Sequence, residues 1–125
     1  MRLLNFKLFK NQNYELIKQE CLDNKTLFVD KEFMPNDSSL SRFKQFSSNI
    51  VWKRPHELVT DPKFFVDSAD RNDISQGEIG DCWFIAAAVA ISSYPEHFEI
   101  VVPPNQSFDF NHGYCGLFHF RFYQY

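Results

Sequence analysis

The chain has 125 residues, of which 44% are hydrophobic and 18% aromatic, with Phe alone present 15 times. That length is enough for one small domain, and that composition excludes a disordered chain. The net charge of -3, with Lys and Arg scattered among the acids, excludes a basic stripe of the kind that binds nucleic acid.

In chain order, residues 1–15 carry basic and apolar residues without the continuous apolar core of a signal peptide. Residues 11–24, "NQNYELIKQECLDN", read as a helix. Tyr14, Ile17 and Cys21 recur at spacings of three and four, and Asn11 or Asn13 can cap its start. Residues 27–49 are rich in Ser, Asn and Asp and carry single apolar anchors such as Phe28, Phe33 and Leu40, the pattern of an extended loop. Pro55 and Pro62 leave room only for a short helical turn near His56 to Val59.

Residues 82–92 predict the strongest helix, with Ala86, Ala87, Ala88 and Ala90 among them. This segment is apolar all round, so the helix is expected to be buried. Its longest apolar run, residues 84–91, is far short of the roughly 20 residues that span a bilayer. "EHFEIVVPP" reads as a short strand stopped by Pro103 and Pro104. "CGLFHFRFYQY" alternates, with Phe118, Phe120 and Phe122 on one face and His119, Arg121 and Tyr123 on the other, which predicts a second strand. No pairing strand follows it, so the pattern reads as part of a longer domain. The odd cysteine count, Cys21, Cys82 and Cys115, has no C-x-x-C spacing and suits reduced thiols in an intracellular, cytoplasmic protein.

The chemistry is concentrated in "QGEIGDCWF", residues 76–84. A cysteine in the first turn of a helix faces unpaired backbone N–H groups and the positive end of the helix dipole, both of which favour thiolate. Gly77 and Gly80 let the preceding loop bend sharply. Gln76 can offer its side-chain N–H₂ to an oxyanion beside the Cys82 backbone N–H. A lone cysteine beside apolar residues is more often a packed small hydrophobe, and Trp83 is assigned to packing. The full arrangement Q-G-x-x-G-x-C-W is far more specific, because each position has its own mechanical task.

That motif resembles the catalytic-cysteine motif of the calpains, the calcium-dependent intracellular cysteine proteases. Ile79 stands where the more distant papain-like enzymes carry a disulfide cysteine. "NYELIKQECLDNKTLFVDKEF", "VWKRPHELVTDPKFFVD" and "QSFDFNHGYCGLFHFRFYQY" are similar to successive blocks of the same protease core. The resemblance implies an α+β fold, the cysteine-bearing subdomain of a papain-like core, over residues 27–125, with residues 1–26 as an N-terminal helical anchor. It implies Cys82 as nucleophile and Gln76 as oxyanion donor, acting on protein substrates through an acyl-enzyme with a histidine base and an orienting asparagine. In calpains those two partners lie further downstream, so the chain is expected to be inactive alone. The family motif offers no reason to bring His56, His97, His112 or His119 to Cys82.

"VDSADRND" is similar to a calcium-binding loop of the family, with the carbonyls of Val66 and Ser68 and the carboxylate of Asp73 at the ligand positions. Ser68 replaces the family's usual glycine. Calcium takes six to eight oxygens, so this set is incomplete by itself. Asp67, Asp70, Asp73 and Glu78 imitate an EF-hand loop, but Ala69, Arg71 and Asn72 break that pattern. Two other readings remain open. One is a non-catalytic calpain-like protein that binds substrates or other calpain domains or subunits. The other is a simple redox-sensing cysteine at Cys82.

Overall fold

A computed structural model describes residues 7–40, 50–64, 74–77 and 79–123. The described residues form four helices, α1 (Tyr14–Asp23), α2 (Pro55–Leu58), α3 (Cys82–Ser92) and α4 (Pro95–Val101), joined by extended segments and short 3-10 turns.

Helix α1 begins where the Asn13 side chain accepts the Leu16 N–H at 3.1 Å, satisfying one of the orphan donors of the first turn. Its inner face carries the buried Cys21. Helix α2 is a single turn. Pro55 at its first position supplies the helical φ, and the Glu57 carboxylate accepts the Arg54 N–H at 2.6 Å. Helix α3 has the bounds expected from its alanines.

Two expected strands are corrected. Residues 96–104 carry the β-branched run Ile100, Val101 and Val102, yet residues 95–101 are helical. Pro95 at the first position and Glu96 in the first turn start that helix. Helical spacing then turns Phe98 and Val101 to the less exposed side before the chain becomes extended at Val102 and meets Pro103. Residues 117–123 are extended but join no ladder, and a single backbone bond runs from Arg121 N–H to the Val101 carbonyl at 2.8 Å. The described residues contain no strand, so the β half of the expected α+β fold is not found among them. The faces of the terminal segment also depart from the alternation. Phe120 and Phe122 are exposed, whereas His119 and Arg121 turn inward. His119 packs on Tyr14 with ring centroids 3.9 Å apart, and its backbone is bracketed by the Gln106 amide.

The packing centre is aromatic. Tyr114, buried, is surrounded by His56, Phe108, Phe110 and Phe118 with centroids between 5.1 and 5.9 Å. Phe64 stacks on Phe118 at 4.8 Å with the rings 8° from parallel. Each such pair contributes about 0.5–1.5 kcal/mol beyond the area it buries. The cluster holds α2 and the segment after it against residues 108–118.

Beside Tyr114 three segments meet. Phe28 N–H donates to the Cys115 carbonyl at 2.7 Å, and the Arg54 guanidinium donates to the Phe28 carbonyl at 2.8 Å. Gly116 closes this crossing with φ +78°, in the left-handed region. A Cβ built there would stand 2.5 Å from Arg54 Nη1 and 3.4 Å from Phe28 N. Gly116→Ala is therefore expected to destabilise the chain by about 1–3 kcal/mol, from backbone strain and the displaced guanidinium. Urea unfolding of the variant checks this, and an unchanged midpoint refutes the crossing as a constraint.

Candidate active site

The loop before α3 shapes the site. Asp81 N–H donates to the Ile79 carbonyl at 2.9 Å, which closes a tight bend through Gly80. The Asp81 carbonyl then accepts both Phe84 N–H and Ile85 N–H, at 2.9 and 3.0 Å, and the helix starts at Cys82. Asp81 sits at φ -112° and ψ 22°, outside the extended geometry from which an N-cap side chain reaches back to the first turn. Accordingly its side chain makes no capping bond, and its Oδ1 is buried without a hydrogen-bond partner among the described residues.

This geometry leaves the first-turn N–H groups of Cys82 and Trp83 without carbonyl partners inside the helix. Cys82 is a free, exposed thiol in that turn. Gln76 is also exposed, and its side-chain amide donates to the Ile79 carbonyl at 3.1 Å. One N–H of that amide is thus engaged within the loop, and the other is left for an external acceptor. Loop and helix start are tied together through Ile79, which takes donors from both Gln76 and Asp81. The Ile79 carbonyl was the contributor hidden from sequence reading, because a backbone acceptor leaves no mark in residue identity.

Two expectations about α3 are corrected. The helix is not buried. Cys82, Trp83, Phe84, Ala86, Ala87 and Ala90 are all exposed, and among the described helices α3 packs against α4 alone. Trp83 does not pack beside a cleft wall among the described residues either; it is 74% exposed and meets the edge of Phe84 there, at 5.9 Å. The physical reason is the same for both. An all-apolar helix has no polar side to mark which face stays wet, so its burial is decided by what packs on it, and here that is one short helix.

None of the four histidines meets Cys82. His56 lies in the aromatic cluster, 5.0 Å from Phe110, and His97 is edge-on to Tyr94. His112 shares its Nδ1 with the Asp109 carboxylate at 2.8 Å. That carboxyl is held below its usual range by the Asn111 backbone N–H and then by His112. His119 is pushed down by burial and by the nearby Arg121 charge, which favours its neutral form, and its buried Nδ1 has no partner among the described residues. A cavity of about 460 Å³ lies among His56, Asp61, Phe64, Gln106 and Asp109, and neither Gln76 nor Cys82 lines it. The expected calcium positions Val66, Ser68 and Asp73 lie outside the described residues.

Comparison with known proteins accounts for this arrangement. A family model described as calpain family cysteine protease matches residues 28–125. The chain is 40% identical to human calpain-12 over 124 residues, 95% of this chain and 17% of that protein. It is 43% identical to the mouse calpain-2 catalytic subunit over 122 residues, 94% of this chain and 17% of that protein. To calpain clp-1 of Caenorhabditis elegans it is 43% identical over 114 residues, 91% of this chain and 14% of that protein. The chain thus spans about a sixth of the length of these curated relatives.

The exposure of the three thiols predicts how they label. Iodoacetamide at neutral pH is expected to modify Cys82 at least about tenfold faster than the buried Cys21 and Cys115, whose reaction waits on local opening. Peptide mass mapping over a time course gives the ratio, and equal rates would contradict the described burial.

Proposed function

The chain belongs to the calpain family of cysteine proteases, and from that premise we propose that Cys82 and Gln76 are the nucleophile and oxyanion donor of a calcium-regulated cysteine endopeptidase site. The observation that carries this reading is the exposed Cys82 thiol in the first turn of α3, with Gln76 anchored to the same loop through Ile79. The Cys82 thiolate attacks the carbonyl carbon of a scissile peptide bond, and the electron pair of the C=O moves onto oxygen. The Cys82 backbone N–H and the free N–H of the Gln76 amide receive that oxyanion. Collapse expels the amine, which needs a proton from a general acid, and leaves a thioester that water hydrolyses.

The proton shuttle is the missing function. No contact between Cys82 and any of the four histidines is seen among the described residues, so those residues supply a nucleophile and an oxyanion donor without the base. Loss of a dyad partner in an enzyme of this type removes most of the rate. We therefore hold the chain by itself to be inactive toward peptides, and the base and its orienting asparagine to come from further calpain domains. The apolar flanks of α3 support this, because surface of that kind is stable when a second folded unit covers it. Calcium, bound through the carbonyls of Val66 and Ser68 and the carboxylate of Asp73, would supply a regulatory charge. Cytoplasmic protein substrates complete the reading, with residues 1–26 as a helical anchor to the protease core.

Purified chain with millimolar calcium is expected to leave casein intact. Cleavage that is abolished in Cys82→Ala would overturn the assignment of the base to another unit. Calorimetric titration of the chain with calcium is expected to show no micromolar site, since three oxygens fall short of the six to eight the ion takes; heat that saturates at micromolar calcium would show that the ligand set is complete within the chain.

A further inference from the structure

Helix α1 is seated on the segment that begins at Gly113, and the contacts fall at three levels. The Lys18 chain runs over Gly113, where a Cβ would meet Lys18 Cε at 3.6 Å. Tyr14, one turn earlier in the helix, packs on His119 with ring centroids 3.9 Å apart. Beyond the helix, Phe28 N–H donates to the Cys115 carbonyl at 2.7 Å. His119 is held from its other side by Gln106, whose amide accepts the His119 N–H at 2.8 Å and donates to the His119 carbonyl at 3.0 Å. Those two bonds fix the backbone from which the ring reaches α1. The ring's Nδ1 is buried with no hydrogen-bond partner, and no other histidine nitrogen among the described residues is in that position.

A neutral imidazole is tolerated there, because its Nε2–H tautomer leaves only a lone pair at Nδ1. A protonated ring carries N–H at both nitrogens, so its Nδ1–H would lie in a buried place without an acceptor. We propose that His119 is an acid-sensitive latch, whose neutral ring seats α1 on residues 113–121 and whose protonation unseats the helix. The charges around the ring act in both directions. Arg121 on the ring's own segment and Lys18 on α1 oppose a positive ring, and Glu15 on α1 favours one. The remaining neighbours meet this segment through neutral groups, the Gln106 amide and the Val101 carbonyl at the end of α4. Burial comes first among these influences and, with Arg121, holds the ring below the ordinary histidine range. The unseated chain therefore binds more protons than the seated one. Seating is at full strength above about pH 6.5, the ordinary histidine value, and weakens as the pH falls below it. Cys82 and Gln76 take no part, so the latch is independent of the chemistry at the α3 start.

The latch is read by hydrogen exchange of the full chain, followed by mass spectrometry at about pH 7.5 and about pH 5.5, with the intrinsic pH dependence of amide exchange removed. Residues 14–23 are expected to lose protection at least about threefold at the lower pH, while α2 and α3 keep theirs. His119→Phe keeps a ring on Tyr14 and cannot titrate, so its α1 is expected to exchange alike at both pH values. Protection of α1 that does not change with pH, or a loss that persists in His119→Phe, would overturn the proposal. So would an equal loss in α2 and α3, which is global unfolding and not an unseated helix. Where His119→Phe folds poorly, proton NMR of the unsubstituted chain follows the His119 ring itself. That ring is expected to titrate below about 6.5, in step with the amide shifts of α1. A ring that titrates at or above that value, or α1 shifts that follow another histidine, overturns the latch.

Discussion

The fold hangs on one crossing, where Phe28, Arg54 and Gly116 leave no room for a Cβ. Arg54 hands its guanidinium to the Phe28 carbonyl, Phe28 hands its N–H to the Cys115 carbonyl, and the next residue turns through a left-handed angle. Those bonds join three stretches that are distant in sequence. Everything packed nearby follows from that junction. Arg54 begins α2, which places His56 in the aromatic cluster. Cys115 follows Tyr114, which is the centre of that cluster. Phe28 leaves the loop after α1, which brings Tyr14 within reach of His119. A part-buried, charge-assisted hydrogen bond of this kind contributes more than a neutral one, and removing its geometry leaves an unpaired donor.

Helix α3 belongs to a different regime. Within the described residues it is tied to the rest through α4 and the loop of residues 79–81, and not through the aromatic core. Its start is specified in detail by backbone bonds, and its flanks are barely covered. That separation has a functional sense. A nucleophile needs an open first turn, fixed donors and access for a substrate, and the bend at Ile79 provides all three without help from the core. It does not need a base on the same element. The histidines pack at a distance from the thiol, so imidazole count is a poor guide to catalytic completeness; what matters is which ring stands at the thiol.

How far the residues foretold this differs by element, for physical reasons. The cap at Asn13, the proline-started turn at Pro55 and the alanine helix from Cys82 are local devices, and local devices are legible. The start of a helix at Cys82, after a loop that carries Gln76, was legible for the same cause, since both lie within one loop and one turn. Helix α4 was misread because Ile100, Val101 and Val102 favour strand, while a single proline at the first helical position decided otherwise. The terminal segment was misread twice. Alternation announced a phenylalanine face, but inward placement went to His119 and Arg121, because α1 and Gln106 offered partners for His119, the Val101 carbonyl took the Arg121 N–H, and nothing comparable among the described residues covers Phe120 and Phe122. Periodicity shows that two faces differ and cannot show which one a neighbour will cover. The burial of α3 failed on the same ground, as an apolar surface is a demand for cover and the described chain meets that demand on one side.

The three cysteines make the final step. Composition treats them alike, and spacing gives none of them a motif partner. The fold sorts them by environment. Cys82 receives open solvent and unpaired N–H groups, conditions under which a thiol is a nucleophile. Cys21 and Cys115 receive burial, a condition under which a thiol is inert toward substrates. Exposure, not residue identity, divides the three. The same crossing that places Gly116 against Arg54 holds the Cys115 carbonyl on the Phe28 N–H, so the constraint that organises the core also fixes where Cys115 is buried.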